Sequence, residues 1–92
     1  MMKASKDFIL REIAGEYILV PAGAASARLN GLITLNELGW FIFKALEKEQ
    51  TVADLTDAIT AEYDVERAVA QADALEFLHQ LEEVGALEGS VE

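Results

Sequence analysis

The first third of the chain consists of short runs of β-branched and aromatic residues, a pattern that predicts strands. Two runs, Phe8–Ile13 and residues 17–20, are joined by three residues that include Gly15. This spacing predicts a β-hairpin. Because proline has no N–H for a ladder hydrogen bond, we expect Pro21 to end the second strand. The small residues 22–27 predict a loop.

A short third strand is predicted at residues 32–35, after the turn signal Asn30-Gly31. From Asn36, a favourable helix N-cap, the apolar residues recur with a helical period. The residues at this spacing are Leu38, Phe41, Ile42, Ala45 and Leu46. We therefore expect a first helix that buries this stripe, which Trp40 and Phe43 widen.

Two further helices are predicted in the second half of the chain. Thr51 is expected to cap the second helix, with Asp54 at the spacing of a capping box. Asp64 is expected to cap the third helix, which runs to about Val84. Gly85 suits the left-handed position that ends a helix.

Strands followed by helices predict an α+β fold, in which helices cover one face of a small antiparallel sheet. Three strands followed by three helices give a winged-helix-like order. The chain has 92 residues, which bury enough surface for one core and no second. We therefore expect a single domain over residues 1–92.

Charge narrows the classes of partner. Seventeen acidic residues against seven basic ones give a formal net charge of −10. Such a field repels phosphate backbones and anionic membrane surfaces, so neither a nucleic acid nor a membrane is an expected partner. A winged-helix DNA-binding domain, the alternative with this architecture, needs a basic recognition helix that is missing here. The charge favours a basic peptide or protein, although acidity also serves solubility alone.

The usual catalytic constellations are missing. The chain has no cysteine and a single histidine, His79, and it contains no phosphate-binding glycine motif. We therefore expect no enzyme activity, no metal and no cofactor. A carrier protein would be entirely helical, which the strands argue against. The first residues lack the apolar segment of a secretory signal, and no run is long enough to span a bilayer, so a cytoplasmic location is expected.

The third strand could accept a peptide along its edge. Residues 32–35 carry no charge and no proline, the features that usually protect an exposed edge. An open edge would allow a peptide to add as a further strand. The alternatives are that this strand is central in the sheet, or that the loop before it covers the edge.

The third helix is apolar on two sides. At about 100° per residue, one side comprises Val65, Ala68, Val69, Ala72 and Leu75, and the other comprises Ala70, Ala74, Phe77, Leu78, Leu81 and Val84. Such a helix either buries both sides or offers one to a ligand. Ala70, Ala74 and Phe77 could form the floor of a groove beside the third strand, or the second helix and Ala86-Leu87 could cover that side.

Three segments in this order resemble the PqqD family, also described as the RiPP recognition element (RiPP denotes a ribosomally made, post-translationally modified peptide). Residues 11–21 (REIAGEYILVP) resemble its first hairpin, and residues 31–39 (GLITLNELG) resemble its strand that runs into a helix. The pattern of its last helix is matched by Asp73, Phe77, Leu78, Leu81, Gly85 and Leu87. The resemblance spans about residues 8 to 88.

The resemblance implies a three-stranded sheet packed on three helices, with a precursor's leader peptide added beside the third strand and against the third helix. It also implies delivery of that peptide to a modifying enzyme, often a radical-SAM or an ATP-dependent one, with a structural subunit of a maturase complex as the alternative. By position, the peptide-binding residues would be Gly31, Leu32, Ile33, Thr34, Leu35, Ala70, Asp73, Ala74, Phe77 and Leu78. Asp73 would pair with a basic leader residue or lie buried, and Arg28 would reach an acidic one.

Overall fold

The computed structural model describes residues 1–28 and 31–91, and for Arg28 it describes the backbone only. The elements in chain order are β1 (Met2–Ala4), β2 (Phe8–Ile13), β3 (Glu16–Pro21), α1 (Gly23–Arg28), β4 (Ile33–Leu35), α2 (Glu37–Ala45), α3 (Val52–Glu62), α4 (Arg67–Glu83) and β5 (Leu87–Gly89). In this part of the chain, no helix is long and apolar enough to cross a bilayer.

The main sheet is antiparallel in the order β2-β3-β4, which confirms the predicted α+β class. Leu19 on β3 lies opposite Leu10 on β2 and Ile33 on β4. Because side chains alternate across a strand, these three residues point to the same face of the sheet. All three belong to the core or pack against it, so this inner face is the one that the helices cover.

Side-chain caps start two of the helices, as predicted. The Asn36 Oδ1 atom accepts the Gly39 N–H at 2.8 Å at the start of α2. At the start of α3, Thr51 Oγ1 accepts the Asp54 N–H at 3.0 Å and Asp54 Oδ2 accepts the Thr51 N–H at 2.9 Å. Each bond satisfies a backbone donor that the first turn leaves unpaired, so these sequence signals determine where both helices begin.

The start of α4 differs from the prediction. The helix begins at Arg67 with Glu66 as its N-cap, and no side chain caps it. Asp64 is therefore not the cap. It lies in a tight turn before the helix, in which the Val65 N–H donates to the Tyr63 carbonyl at 3.0 Å. The predicted end is confirmed, since Gly85 follows the helix with a φ of +74°.

The two sides of α4 differ in burial. Its core side is fully buried at Ala70, Ala74 and Leu78, and α3 is the helix that packs most extensively against it. On the other side, Val69 is 46% exposed. One side of α4 therefore packs in the core, and the rest of the helix is available to form a surface.

Three elements were not predicted. Residues 22–27, expected to be a loop, lie in or beside the short helix α1, whose Ala25 is buried in the core. Alanine favours helix whenever packing allows it. Strands β1 and β5 pair with each other, and the N–H of the fully buried Met2 also donates to the Gln50 carbonyl at 2.8 Å. The two ends of the described chain therefore close the core together.

Gly89 is expected to be intolerant of any side chain. Its φ is +87°, and a Cβ atom there would collide with the Met1 carbonyl oxygen. Gly89→Ala must therefore disrupt the β1–β5 pairing and should lower the free energy of unfolding by about 2 kcal/mol or more, measured by urea denaturation. Gly15→Ala is the matched control, because Gly15 has a φ of +81° with nothing within 4 Å. Equal losses for the two variants would contradict the proposed clash.

Candidate functional site: a groove between a strand edge and a helix

Strand β4 lies at an edge of the main sheet. It pairs with β3 alone among the described strands, and its register places Thr34 opposite Ile18. The interpretation that this strand is central is therefore wrong. Strand β2 forms the other edge and carries the exposed charges Arg11 and Glu12, which protect an edge against pairing. Strand β4 has no such protection.

A groove of about 300 Å³ runs between β4, the start of α2 and the flank of α4. Its lining residues are Thr34, Leu35, Asn36, Leu38, Gly39, Asp73, Glu76, Phe77 and Gln80. The edge of β4 and the wall of α4 thus face the same space. Neighbouring strands lie about 4.8 Å apart, so an extended peptide paired to β4 would have its alternate side chains in this groove.

The floor of the groove depends on close contact between two helices. Gly39 in the first turn of α2 is buried, and a Cβ atom there would lie 3.0 Å from Cε1 of Phe77. The absence of a side chain lets the Phe77 ring rest against the backbone of α2. Phe77 is only partly buried, and the remaining face of its ring is an apolar surface for a ligand.

A second cavity of about 350 Å³ adjoins the groove and shares Asn36, Leu38 and Asp73 with it. Its other lining residues are Glu37, Ile59, Tyr63, Val65 and Ala70. Burial, and next the Glu37 carboxylate, raise the pKa of Tyr63 above its usual value of 10.0. The Tyr63 hydroxyl is therefore neutral at physiological pH, and the phenol ring sits edge-on to Phe41 at 5.4 Å.

Two carboxylates give the wall of the groove a negative charge. Asp73 and Glu76 are exposed, and neither forms an ion pair with another described residue. An unpaired carboxylate beside a docked peptide attracts a lysine or an arginine. Because the whole chain has a net charge of −10, its general field adds to this local preference.

The structure brings some of the predicted site residues together and separates others. Thr34, Leu35, Asp73 and Phe77 line the groove, whereas Ala70 lines the adjoining cavity. Gly31 and Leu32 are exposed just before β4, and Ile33, the first residue of the strand, is half-buried.

Three predicted wall residues lie in the core. Ala70, Ala74 and Leu78 have no exposed surface. A peptide at the surface therefore does not reach them, and they support the wall from behind. The Arg28 side chain and the turn residue Asn30 fall outside the described residues.

Glu76 and Gln80 are lining residues that the sequence analysis did not identify. They lie three and seven residues after Asp73, a spacing that places all three on one flank of a helix. The same spacing indicates both residues, but polar residues give no signal in a pattern of apolar stripes. Leu38 and Gly39 were assigned only to the helix, and their place at the groove depends on how α2 meets α4.

The comparisons with known proteins now complete the description of the site. Residues 16–87 match the family described as coenzyme PQQ synthesis protein D (PqqD). The chain belongs to the PqqD family. The match includes β3, β4 and α4, so every groove residue lies inside the part that defines the family. No curated protein matches the chain.

Solved structures share the whole fold of this PqqD-family chain. One, described as TbiB1 in complex with the TbiA(beta) leader peptide, is 28% identical with a TM-score of 0.77, covering 98% of this chain and 99% of that chain. Another, described as lasso peptide synthetase B1 complexed with the leader peptide, is 20% identical with a TM-score of 0.75, covering 96% and 98%. The second likeness shows the fold alone.

Proposed function

We propose that this PqqD-family protein binds the leader segment of a ribosomally made precursor peptide and presents it to a modifying enzyme, without catalysing a reaction itself. One observation carries the proposal: the edge of β4, which has no charge or proline, faces the wall of α4 across a groove of about 300 Å³. The resemblance to a structure described in complex with a leader peptide supports it. Because precursors leave the ribosome in the cytoplasm, we place the function there.

The leader would bind in two ways at once. Its backbone would pair with β4 over Ile33–Leu35, which gives affinity without regard to sequence. Its alternate side chains would enter the groove, where Phe77 offers apolar contact and Asp73 and Glu76 favour a basic residue. Specificity would therefore come from the wall of α4 rather than from the strand.

The expected affinity is modest. About four strand hydrogen bonds at ~1 kcal/mol each and two or three apolar contacts at ~2 kcal/mol give roughly 10 kcal/mol in total. Ordering a flexible peptide costs about 2–5 kcal/mol of that sum. The remainder corresponds to dissociation constants from about 1 μM to about 200 μM, a range that suits a protein which must release its peptide.

Calorimetric titration with the N-terminal segment of a precursor encoded beside this gene tests the proposal. We expect saturable one-to-one binding that weakens as salt rises, because part of the attraction is between exposed charges. A scrambled peptide of the same composition is the control, since it keeps the charge and loses the pattern. Equal affinity for both peptides, or no binding at all, would contradict leader recognition.

A further inference from the structure

The main sheet has a second face, which is turned away from the core cluster. The residues that alternate away from the core are Ile9, Arg11 and Ile13 on β2, Glu16, Ile18 and Val20 on β3, and Thr34 on β4. None of them belongs to the core cluster or packs against it, although Ile18 is buried between its neighbours. The inward-pointing residues that do belong to the cluster or pack against it are Phe8, Leu10, Tyr17, Leu19, Ile33 and Leu35. We call these seven residues the outer face.

The outer face is more apolar than a solvated face requires. An antiparallel sheet with one face in water normally carries polar residues there, yet four of these seven positions are aliphatic. Ile9 is 39% exposed and Ile13 is 50% exposed. The pairs Ile9–Val20 and Ile13–Glu16 lie towards the two ends of the β2–β3 ladder, and Ile18 between them is only 7% exposed. The exposed apolar surface is thus carried by Ile9 and Ile13, and large aliphatic side chains this exposed on one face of a sheet indicate an interaction site.

A positive charge lies at the middle of the outer face. Arg11 sits directly opposite Ile18, and it forms no ion pair with any other described residue. A guanidinium surrounded by aliphatic side chains matches an apolar partner surface that carries a carboxylate. A second copy of the chain fits poorly, because a two-fold contact centred here would bring two Arg11 side chains together.

The outer face continues directly into the peptide site. Thr34 of β4 belongs to it, and side chains alternate between the two faces of a strand. A leader peptide added to β4 would therefore turn every second side chain toward the groove and the others onto the outer face. A protein docked on this face would touch both the chain and its bound peptide.

We propose that the outer face docks the modifying enzyme through an apolar surface bearing a carboxylate, and that the bound leader extends this docking surface. The proposal rests on the proposed function, because it needs a leader strand on β4. Two strands of six residues and one of three, about 4.8 Å apart and rising about 3.4 Å per residue, present roughly 240 Å², and a leader strand paired along β4 adds about a fifth. This is well below the ~800 Å² per partner of a stable complex, so the contact is transient and strengthened by the peptide.

The test compares two binding events with the same protein. The double variant Ile9→Ser/Ile13→Ser removes exposed apolar side chains, and Arg11→Glu reverses the central charge. The matched control is Val69→Ser, since Val69 is 46% exposed but lies on α4. Calorimetry measures the affinity of each variant for the leader peptide. Surface plasmon resonance measures its affinity for the purified modifying enzyme encoded beside this gene, with and without saturating leader.

For the wild type, we expect the leader to tighten enzyme binding severalfold. Both outer-face variants should bind the leader normally and the enzyme at least about tenfold more weakly, whereas Val69→Ser should bind both normally. Normal leader binding with unchanged enzyme affinity in these variants would overturn the docking surface alone. A dimeric wild type and a monomeric Ile13→Ser variant would also overturn the proposed docking surface, because they would show that a second copy of the chain occupies the outer face. Failure of the wild type to bind any leader would overturn the proposed function itself.

Discussion

Proline at the position of β4 whose N–H faces the free edge is expected to weaken leader binding about 30- to 150-fold while leaving the fold intact. In an antiparallel ladder, successive residues point their N–H groups to opposite sides of the strand. Of Ile33→Pro and Thr34→Pro, one therefore removes a bond to β3 and the other removes a donor from the free edge. The free-edge variant should unfold at nearly the wild-type urea concentration, because edge strands tolerate proline.

The loss of binding should exceed that of one hydrogen bond. The proline ring also blocks close approach of the incoming strand, so neighbouring bonds fail and about 2–3 kcal/mol is lost, a factor of about 30 to 150 in affinity. Calorimetric titration with the leader measures it. Proline at the exposed Glu12 of β2 is the control at the opposite edge of the sheet, because the Arg11–Ile18 pair is hydrogen-bonded and the Glu12 N–H therefore faces away from β3. If the stable β4 variant binds the leader like the wild type, strand addition at β4 is wrong.

Phe77→Asp is expected to weaken leader binding by a similar factor for a different reason. The partly buried ring rests on Gly39 and forms the apolar part of the groove. Replacing it removes about 2 kcal/mol of apolar contact and places a third carboxylate beside Asp73 and Glu76. The variant should keep its helix content, measured by circular dichroism, because the Phe77 ring is not fully buried.

Ala68→Asp provides the matched control for this substitution. Ala68 is exposed on the same helix, and nine residues at 100° each place it about 180° from Phe77. The same charge there should leave leader binding unchanged. If both variants weaken binding equally, the effect would reflect net charge alone, and the α4 wall would not be the peptide site.

Local signals in the sequence predicted the elements that local chemistry controls. Asn36 and the Thr51–Asp54 pair begin their helices as expected, because a cap depends only on residues three apart. The hairpin of β2 and β3 was predicted for the same reason, since a short turn sets its register. The predicted start of α4 was wrong because Asp64 is equally suited to the turn that precedes the helix.

Contacts between distant residues were beyond the sequence analysis. Met2 pairs with Gly89, and three-residue strands at the two ends of a chain carry no pattern that links them. The groove shows the same limit. The sequence indicated that α4 had two apolar sides, but burial of Ala74 and Leu78 depends on how α3 packs against it. Only the packed structure distinguishes the residues that line the wall from those that support it.

The chain combines a permissive strand with a selective wall. In the proposed binding mode, backbone pairing at β4 would accept many sequences, whereas Phe77, Asp73 and Glu76 would favour an apolar residue near a basic one. The diffuse negative field of the chain would increase the rate at which a basic leader meets the groove.

Amide hydrogen exchange at β4, followed by NMR with and without saturating leader peptide, tests strand addition most directly. Backbone N–H groups that face the free edge exchange with water until another strand pairs with them. We predict that leader binding slows exchange at least tenfold at alternate residues of the segment 31–35, with little change along β2. Unchanged exchange throughout that segment, while the leader is bound elsewhere, would contradict strand addition.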